Sequence, residues 1–251
     1  MGRGGRGRTR KHSQVRQVNR CYQTILGQWC CSRHQALKWR SRRTPQKCGA
    51  PHVRRYKRLN GNQMNTKNLL VLPDDLPVPE DDGACTHLEG MNMPAVALAS
   101  TSGSKVNLGL EDGTVVVYFY PMTGRPDAPP MVGWNEIPGA RGCTPQSCSF
   151  RDLHSDLLSL GAKVYGVSSQ SSEDQKEAIQ RLSLPFELLS DSSFELASAL
   201  MLPTFEYDSL RLIKRLTLII KDGSIRKVFY PVFPPNENAV NVLAWLQKND
   251  A

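Results

Sequence analysis

The chain has 251 residues, a formal net charge of +9, 39% apolar residues and seven cysteines. That length holds one sizeable domain with an appendage, or two small domains, and no run of roughly 18 apolar residues marks a membrane span. The N-terminus lacks the apolar core of a secretory signal, and three cysteines outside the first 60 residues are too few for a disulfide-stapled fold. A reducing compartment, the cytoplasm, is therefore the first expectation.

The overall charge averages two unlike parts. Residues 1–60 hold 13 Arg and 4 Lys with no acidic residue, whereas the rest sets 15 basic residues against all 23 acidic ones. Few aliphatic residues and no period accompany the basic stretch, so it cannot bury enough apolar surface to offset its ordering entropy. Residues 1–63 are expected to be a disordered extension. Three readings stand for it: a targeting segment for a mitochondrion or plastid, a nucleic-acid-binding tail, or sequence upstream of a true start at Met64. Cys31, His34, Cys48 and His52 approach a zinc spacing. No apolar framework accompanies them, so they are read as unstructured thiols and imidazoles with no metal.

Residues 64–89 form an acidic, proline-punctuated lead-in, expected to be extended. Cys85 falls in it and reads as a spare loop thiol. After Pro94 a short strand, a turn at Thr101-Ser-Gly-Ser104 and a return strand through Val106 and Leu108 make a hairpin. Thr114-Val-Val-Val-Tyr-Phe-Tyr120 is continuous, β-branched and aromatic, as a central strand covered on both faces is. Pro121 ends it, and a long loop follows, rich in proline and carrying Trp134. Loops of this length in compact domains usually serve function.

That loop delivers the chain to Gly142-Cys-Thr-Pro-Gln-Ser-Cys148. Thr144 and Pro145 read as N-cap and first residue of a helix, and Phe150, Leu153, Leu157 and Leu158 as its buried face, ending at Gly161. Cys143 then sits just before the helix, where unpaired N–H groups and the positive dipole end favour a thiolate. Lys163–Ser168 is the next strand, Ser171 opens a helix to Leu182, and Pro185–Ser190 is a strand. Asp191 caps a helix to Leu200. Leu212–Ile220 and Ile225–Tyr230 flank Lys221-Asp-Gly-Ser224 as a hairpin, and a helix over 236–248 closes the chain. Such an order predicts an α/β fold with a mixed central sheet flanked by helices.

Five segments together carry a likeness: Val115–Pro121, Gly142–Asp152, Val164–Ser169, Phe186–Asp191 and Lys214–Gly223. In these the domain from 90 to 251 resembles the peroxiredoxins of the alkyl-hydroperoxide-reductase/thiol-specific-antioxidant type. It is nearest the Q-type subgroup, the bacterioferritin-comigratory proteins. The resemblance implies a thioredoxin-like fold and a cofactor-free, thiol-dependent peroxidase acting on hydrogen peroxide or organic hydroperoxides. Cys143 would be the peroxidatic thiol, Cys148 the resolving thiol and Arg215 the active-site arginine, with thioredoxin or glutaredoxin regenerating the dithiol.

The chain departs from the family where proline and a hydroxyl residue usually stand seven and three residues before the peroxidatic cysteine. Glu136 and Ala140 hold those positions. Either the loop returns Thr123 to the site, or Thr144 substitutes. Arg141 and Arg151 read as surface-paired cations, and His154 as a partly exposed structural histidine. Phe119, Tyr120 and Trp134 read as lining of an apolar pocket for an organic hydroperoxide, with core packing an equal reading of the first two.

The mechanism expected is thiolate attack on the peroxide O–O bond, giving sulfenic acid at Cys143, then condensation with Cys148. A disulfide reductase or redox sensor is the alternative, weakened by the absence of Cys-x-x-Cys. A nucleic-acid binder acting through the basic tail is another. If residues 143–148 are regular helix, their Cα atoms lie roughly 8–9 Å apart. A disulfide needs less than about 7 Å, so the first turn would have to unwind.

Overall fold

The computed structural model describes residues 69–128 and 131–249. The basic segment, with its expected disorder, targeting, nucleic-acid and metal readings, lies outside the described residues.

Seven strands form one mixed sheet in the order β2-β1-β5-β4-β3-β8-β9. They are β1 (Ala97–Ser100), β2 (Lys105–Asn107), β3 (Thr114–Phe119), β4 (Ala162–Ser168), β5 (Leu188–Ser190), β8 (Leu216–Lys221) and β9 (Ser224–Phe229). β3, β4 and β5 run parallel, while β8 lies antiparallel to β3. β6 (Thr204–Tyr207) and β7 (Leu210–Ile213) make a separate hairpin.

β3 is central, and its period of two divides the core. Val115, Val117 and Phe119 point into one layer with Leu88, Leu108, Leu189 and Leu218. Val116, Tyr118 and Tyr120 point into the other, with Phe150, Leu157, Val242 and Leu246. The second layer is covered by α1 (Cys143–Asp152), α2 (His154–Ser159), α3 (Ser172–Leu182) and α5 (Asn238–Asn249). The first is closed by α4 (Glu195–Ala199) and the segment around Cys85 and Leu88. Cys85 is thus a core side chain, not a spare loop thiol. Burial, then the nearby carboxylates of Asp82 and Asp81, pushes it up to about 12. Among the described residues no helix is long and apolar enough to cross a membrane.

Several local expectations hold and several shift. Ser171 caps α3 by accepting from Asp174 N at 3.2 Å. The helix from Cys143 does not run through to Gly161: it breaks at Leu153, and Leu158 is 50% exposed instead of buried. Leu158 shares the apolar spacing with Leu157, but spacing cannot tell that the axis has turned between them. The strand expected from Pro185 begins only at Leu188. The run Leu212–Ile220 is two strands, broken at Lys214 and Arg215, and β6 and β7 are joined by Asp208 and Ser209, both at positive φ (45° and 66°). That turn carries no glycine, so it lacks the usual hairpin signature. Asp191 does serve a helix start, but at a distance. Its carboxylate accepts from Leu196 N and Ala197 N at 3.1 and 2.8 Å.

Candidate active site

The site forms where the long loop after β3 meets α1. Gly142, not Thr144, is the N-cap of α1, and Cys143 is its first residue. Pro145 fits because none of the first-turn positions needs an N–H, so proline marks the turn without locating its start. Gly142 sits at φ 107°, and a Cβ there would lie 2.3 Å from Pro235 Cγ and 3.0 Å from Leu72 Cδ2. Only glycine satisfies both the backbone and the packing.

Under α1, the Tyr118 ring passes over Gly166, where a Cβ would lie 2.6 Å from Tyr118 Cζ. The ring stacks on Phe150 at 4.6 Å between centroids, and its hydroxyl donates to Ser147 Oγ at 3.1 Å. This fixes the first two turns of α1 against the sheet. Burial holds the Tyr118 and Tyr120 phenols above their ordinary range, so both stay protonated.

Cys143 is 4% exposed and Arg215, just before β8, is 3% exposed. Arg215 Nη2 lies 3.2 Å from Cys143 Sγ. The same guanidinium donates through Nε to Gly139 O at 3.3 Å and through Nη2 to the carbonyls of Ala140 and Arg141 at 3.1 and 3.3 Å. Through Nη1 it donates to Gln146 Oε1. No carboxylate pairs with it among the described residues. A buried cation without a counter-ion is costly, and the one partner able to become an anion is the Cys143 sulfur. Its thiol donates weakly to Ala140 O at 3.6 Å.

Gln146 was not singled out in the sequence. It passes the interaction on, donating from Nε2 to Asn238 Oδ1 at 2.9 Å, and Thr217 Oγ1 donates to the same oxygen at 2.7 Å. Its position three after Cys143 was the available signal, since that spacing returns a side chain to the same helix face.

Cys148 lies one turn further on, 8% exposed, and both thiols are free. α1 is helical across the pair, so the separation estimated above applies. Burial raises the Cys148 thiol, partly offset by the nearby Arg151. Arg151 pairs with Asp152 at 2.8 Å and donates to Leu182 O. Arg141 is half-buried, not a surface ion, and donates to Val71 O at 3.3 Å. His154 is partly exposed against the Phe186 ring, and burial lowers it.

The structure separates the two candidate hydroxyls. Thr123 is buried and clasped by Gln170, whose Oε1 accepts from Thr123 N and Oγ1 at 2.8 and 3.1 Å. Its hydroxyl proton is therefore committed away from Cys143. Thr144 is buried beside Cys143, and its hydroxyl has no side-chain partner among the described residues. Thr123, Gln170, Trp134 and Arg141 line a cleft of about 900 Å³ between the long loop and the lead-in. Of the three aromatics read as possible pocket lining, only Trp134 borders it; Phe119 and Tyr120 belong to opposite core layers. Trp134 is held edge-on to Tyr207 at 5.0 Å, and Tyr207 OH donates to Val132 O at 2.9 Å.

A cysteine at the first position of a helix, faced by a buried arginine just before an inner strand of a mixed sheet, is an arrangement able to carry thiol-based redox chemistry. The redoxin family model matches residues 88–243. The chain is 32% identical over 161 residues to the chloroplastic peroxiredoxin Q of Suaeda salsa, covering 63% of this chain and 67% of that protein. It is 30% identical over 143 residues to peroxiredoxin Bcp of Bacillus subtilis, covering 55% of this chain and 82% of that one. The crystal structure of peroxidoxin BcpB from Mycobacterium tuberculosis superposes with a TM-score of 0.52 at 25% identity, covering 64% of this chain and 97% of that one. The chain belongs to the redoxin family and is a Q-type peroxiredoxin, a thiol-dependent peroxidase on a thioredoxin-like fold.

Proposed function

We propose that Cys143 is the peroxidatic thiol, Cys148 the resolving thiol, and Arg215 the cation that faces the sulfur and polarises the peroxide. The observation that carries this is the buried guanidinium 3.2 Å from the Cys143 sulfur, with no carboxylate among the described residues to neutralise it. The thiolate attacks one peroxide oxygen, the O–O bond breaks, and the other oxygen leaves as alkoxide or hydroxide and takes a proton. The Cys148 thiolate then attacks the sulfenic sulfur, and hydroxide leaves as water. A thioredoxin- or glutaredoxin-type dithiol reduces the disulfide, becoming oxidised itself. Thr144, whose hydroxyl has no side-chain partner among the described residues, takes the hydrogen-bonding place that Ala140 cannot fill. Thr123 shapes the adjoining cleft.

The second step has a pH signature. Burial raises the Cys148 thiol above its ordinary range, so at neutral pH little of it is ionised. Disulfide formation should therefore accelerate with rising pH, up to about tenfold per unit, until that thiol titrates. Unwinding of the first turn exposes the sulfur and moderates the slope. Stopped-flow decay of sulfenic acid against pH, with mass mapping of the product, checks this. One peroxide should yield one Cys143–Cys148 disulfide, and a product joining Cys143 to Cys85 would overturn the pairing.

For location, we infer a plastid over the cytoplasm, supported by chloroplastic relatives such as those of Suaeda salsa and Sedum lineare and by the Arg-rich, acid-free residues 1–60. Fusing residues 1–68 to a fluorescent protein should send it to plastids. A diffuse cytoplasmic signal would return the reading to the cytoplasm.

A further inference from the structure

Arg215, Gln146, Asn238 and Thr217 form a ring of hydrogen bonds that begins just before β8 and ends on it. Gln146 comes from α1 and Asn238 is the first residue of α5. Gln146 and Thr217 are fully buried and Asn238 is 2% exposed.

The direction of every bond in the ring is dictated by the arginine. A guanidinium donates and never accepts, so the Gln146 atom facing it must be Oε1. The Gln146 Nε2 then faces Asn238 and must donate at 2.9 Å, so Asn238 presents Oδ1. That oxygen also takes the Thr217 hydroxyl proton at 2.7 Å. A glutamine has two faces of similar shape and opposite polarity. Without Asn238 Oδ1 holding the amide nitrogen, Gln146 loses the bond that keeps its oxygen toward the guanidinium. Nη1 has no other partner among the described residues, whereas Nε and Nη2 are held by carbonyls of the loop entering α1. The Gln146 bond thus ties the guanidinium to the helix that carries the sulfur.

Resting on the reading of Cys143 and Arg215 given above, we propose that Asn238 is a positioning residue of the peroxidase reaction. Through Gln146 it sets the plane of the Arg215 guanidinium and so the aim of Nη2 at the Cys143 sulfur. Asn238 touches neither sulfur nor peroxide.

The test uses the full chain, reduced, with hydrogen peroxide in single-turnover stopped flow. Asn238→Leu removes the acceptor and should lower the second-order rate constant by about 10- to 100-fold, the scale on which small misplacements act. Asn238→Asp keeps an acceptor at Oδ1 for both donors and should recover the rate to within about threefold of wild type. Thr217→Val leaves Asn238 with one tether and should cost about threefold, near the worth of one neutral hydrogen bond. Loss of packing alone would not be rescued by aspartate. A leucine variant within twofold of wild type, or an aspartate variant as slow as leucine, overturns the proposal. If the leucine variant does not fold, Thr217→Val at the wild-type rate overturns it, and a threefold loss with unchanged circular dichroism supports it. Failure of the underlying reading looks different, because wild-type Cys143 itself would then not react.

Discussion

Cys143→Ser is expected to abolish peroxide turnover, lowering the rate by at least about a thousandfold to the uncatalysed background. The thiolate, not the thiol, is the nucleophile, and a serine hydroxyl has neither the acidity nor the polarisable atom to replace it. The question is whether another cysteine can take over. Cys85 is packed in the core beside Asp81 and Asp82 and is pushed up to about 12. Cys148 is raised by burial, and its neighbouring cation, Arg151, is already paired to Asp152. Among the described cysteines, only Cys143 has a buried guanidinium on its sulfur. Peroxide consumption with a thioredoxin-type reductant checks the expectation, and turnover within tenfold of wild type would mean that the peroxidatic thiol lies elsewhere. Cys148→Ser is the companion variant. It should still form sulfenic acid at wild-type speed, then stall.

These contrasts also mark what was legible beforehand. β3 was readable because six consecutive apolar and aromatic residues, Val115 to Tyr120, admit no solvent-facing side. The start of α3 was readable because Ser171 and Asp174 lie three residues apart and satisfy one another locally. The polar half of the site is of another kind. Gln146 and Arg215 are separated by 69 residues, and Gln146 and Asn238 by 92. No local period records such a pairing. Arg215 was named through family resemblance alone, and Gln146, Asn238 and Thr217 had no signal beyond the helix spacing of the first. The Gly142 cap was missed for a related reason. Its need for glycine comes from Pro235 and Leu72, distant segments that pack onto it. Thr123 shows the converse. It supplies a hydroxyl on the loop after β3, but Gln170 draws that hydroxyl away.

Arg215→Met should lower the second-order rate constant for peroxide by about 10²- to 10³-fold, the usual worth of a preorganised donor facing charge that develops in the transition state. Two terms act on stability and oppose each other. Removing the guanidinium strands the carbonyls of Gly139, Ala140 and Arg141 and the Gln146 oxygen, each costing about 1–3 kcal/mol if left dry. It also removes a buried charge that has no carboxylate partner among the described residues, and replacing a poorly compensated ion by an apolar side chain often stabilises by about 1–4 kcal/mol. The melting temperature should therefore move modestly while the rate collapses, and that separation is the sign of a catalytic role. Arg215→Lys keeps the charge but not the planar fork. An ammonium cannot hold Gly139 O, Ala140 O, Gln146 Oε1 and the sulfur together, so the lysine variant should fall between methionine and wild type, roughly tenfold down. Single-turnover stopped flow with thermal melts on the same samples decides it. Equal rates for methionine and wild type would show that the sulfur needs no cation, and that the helix start alone keeps it reactive.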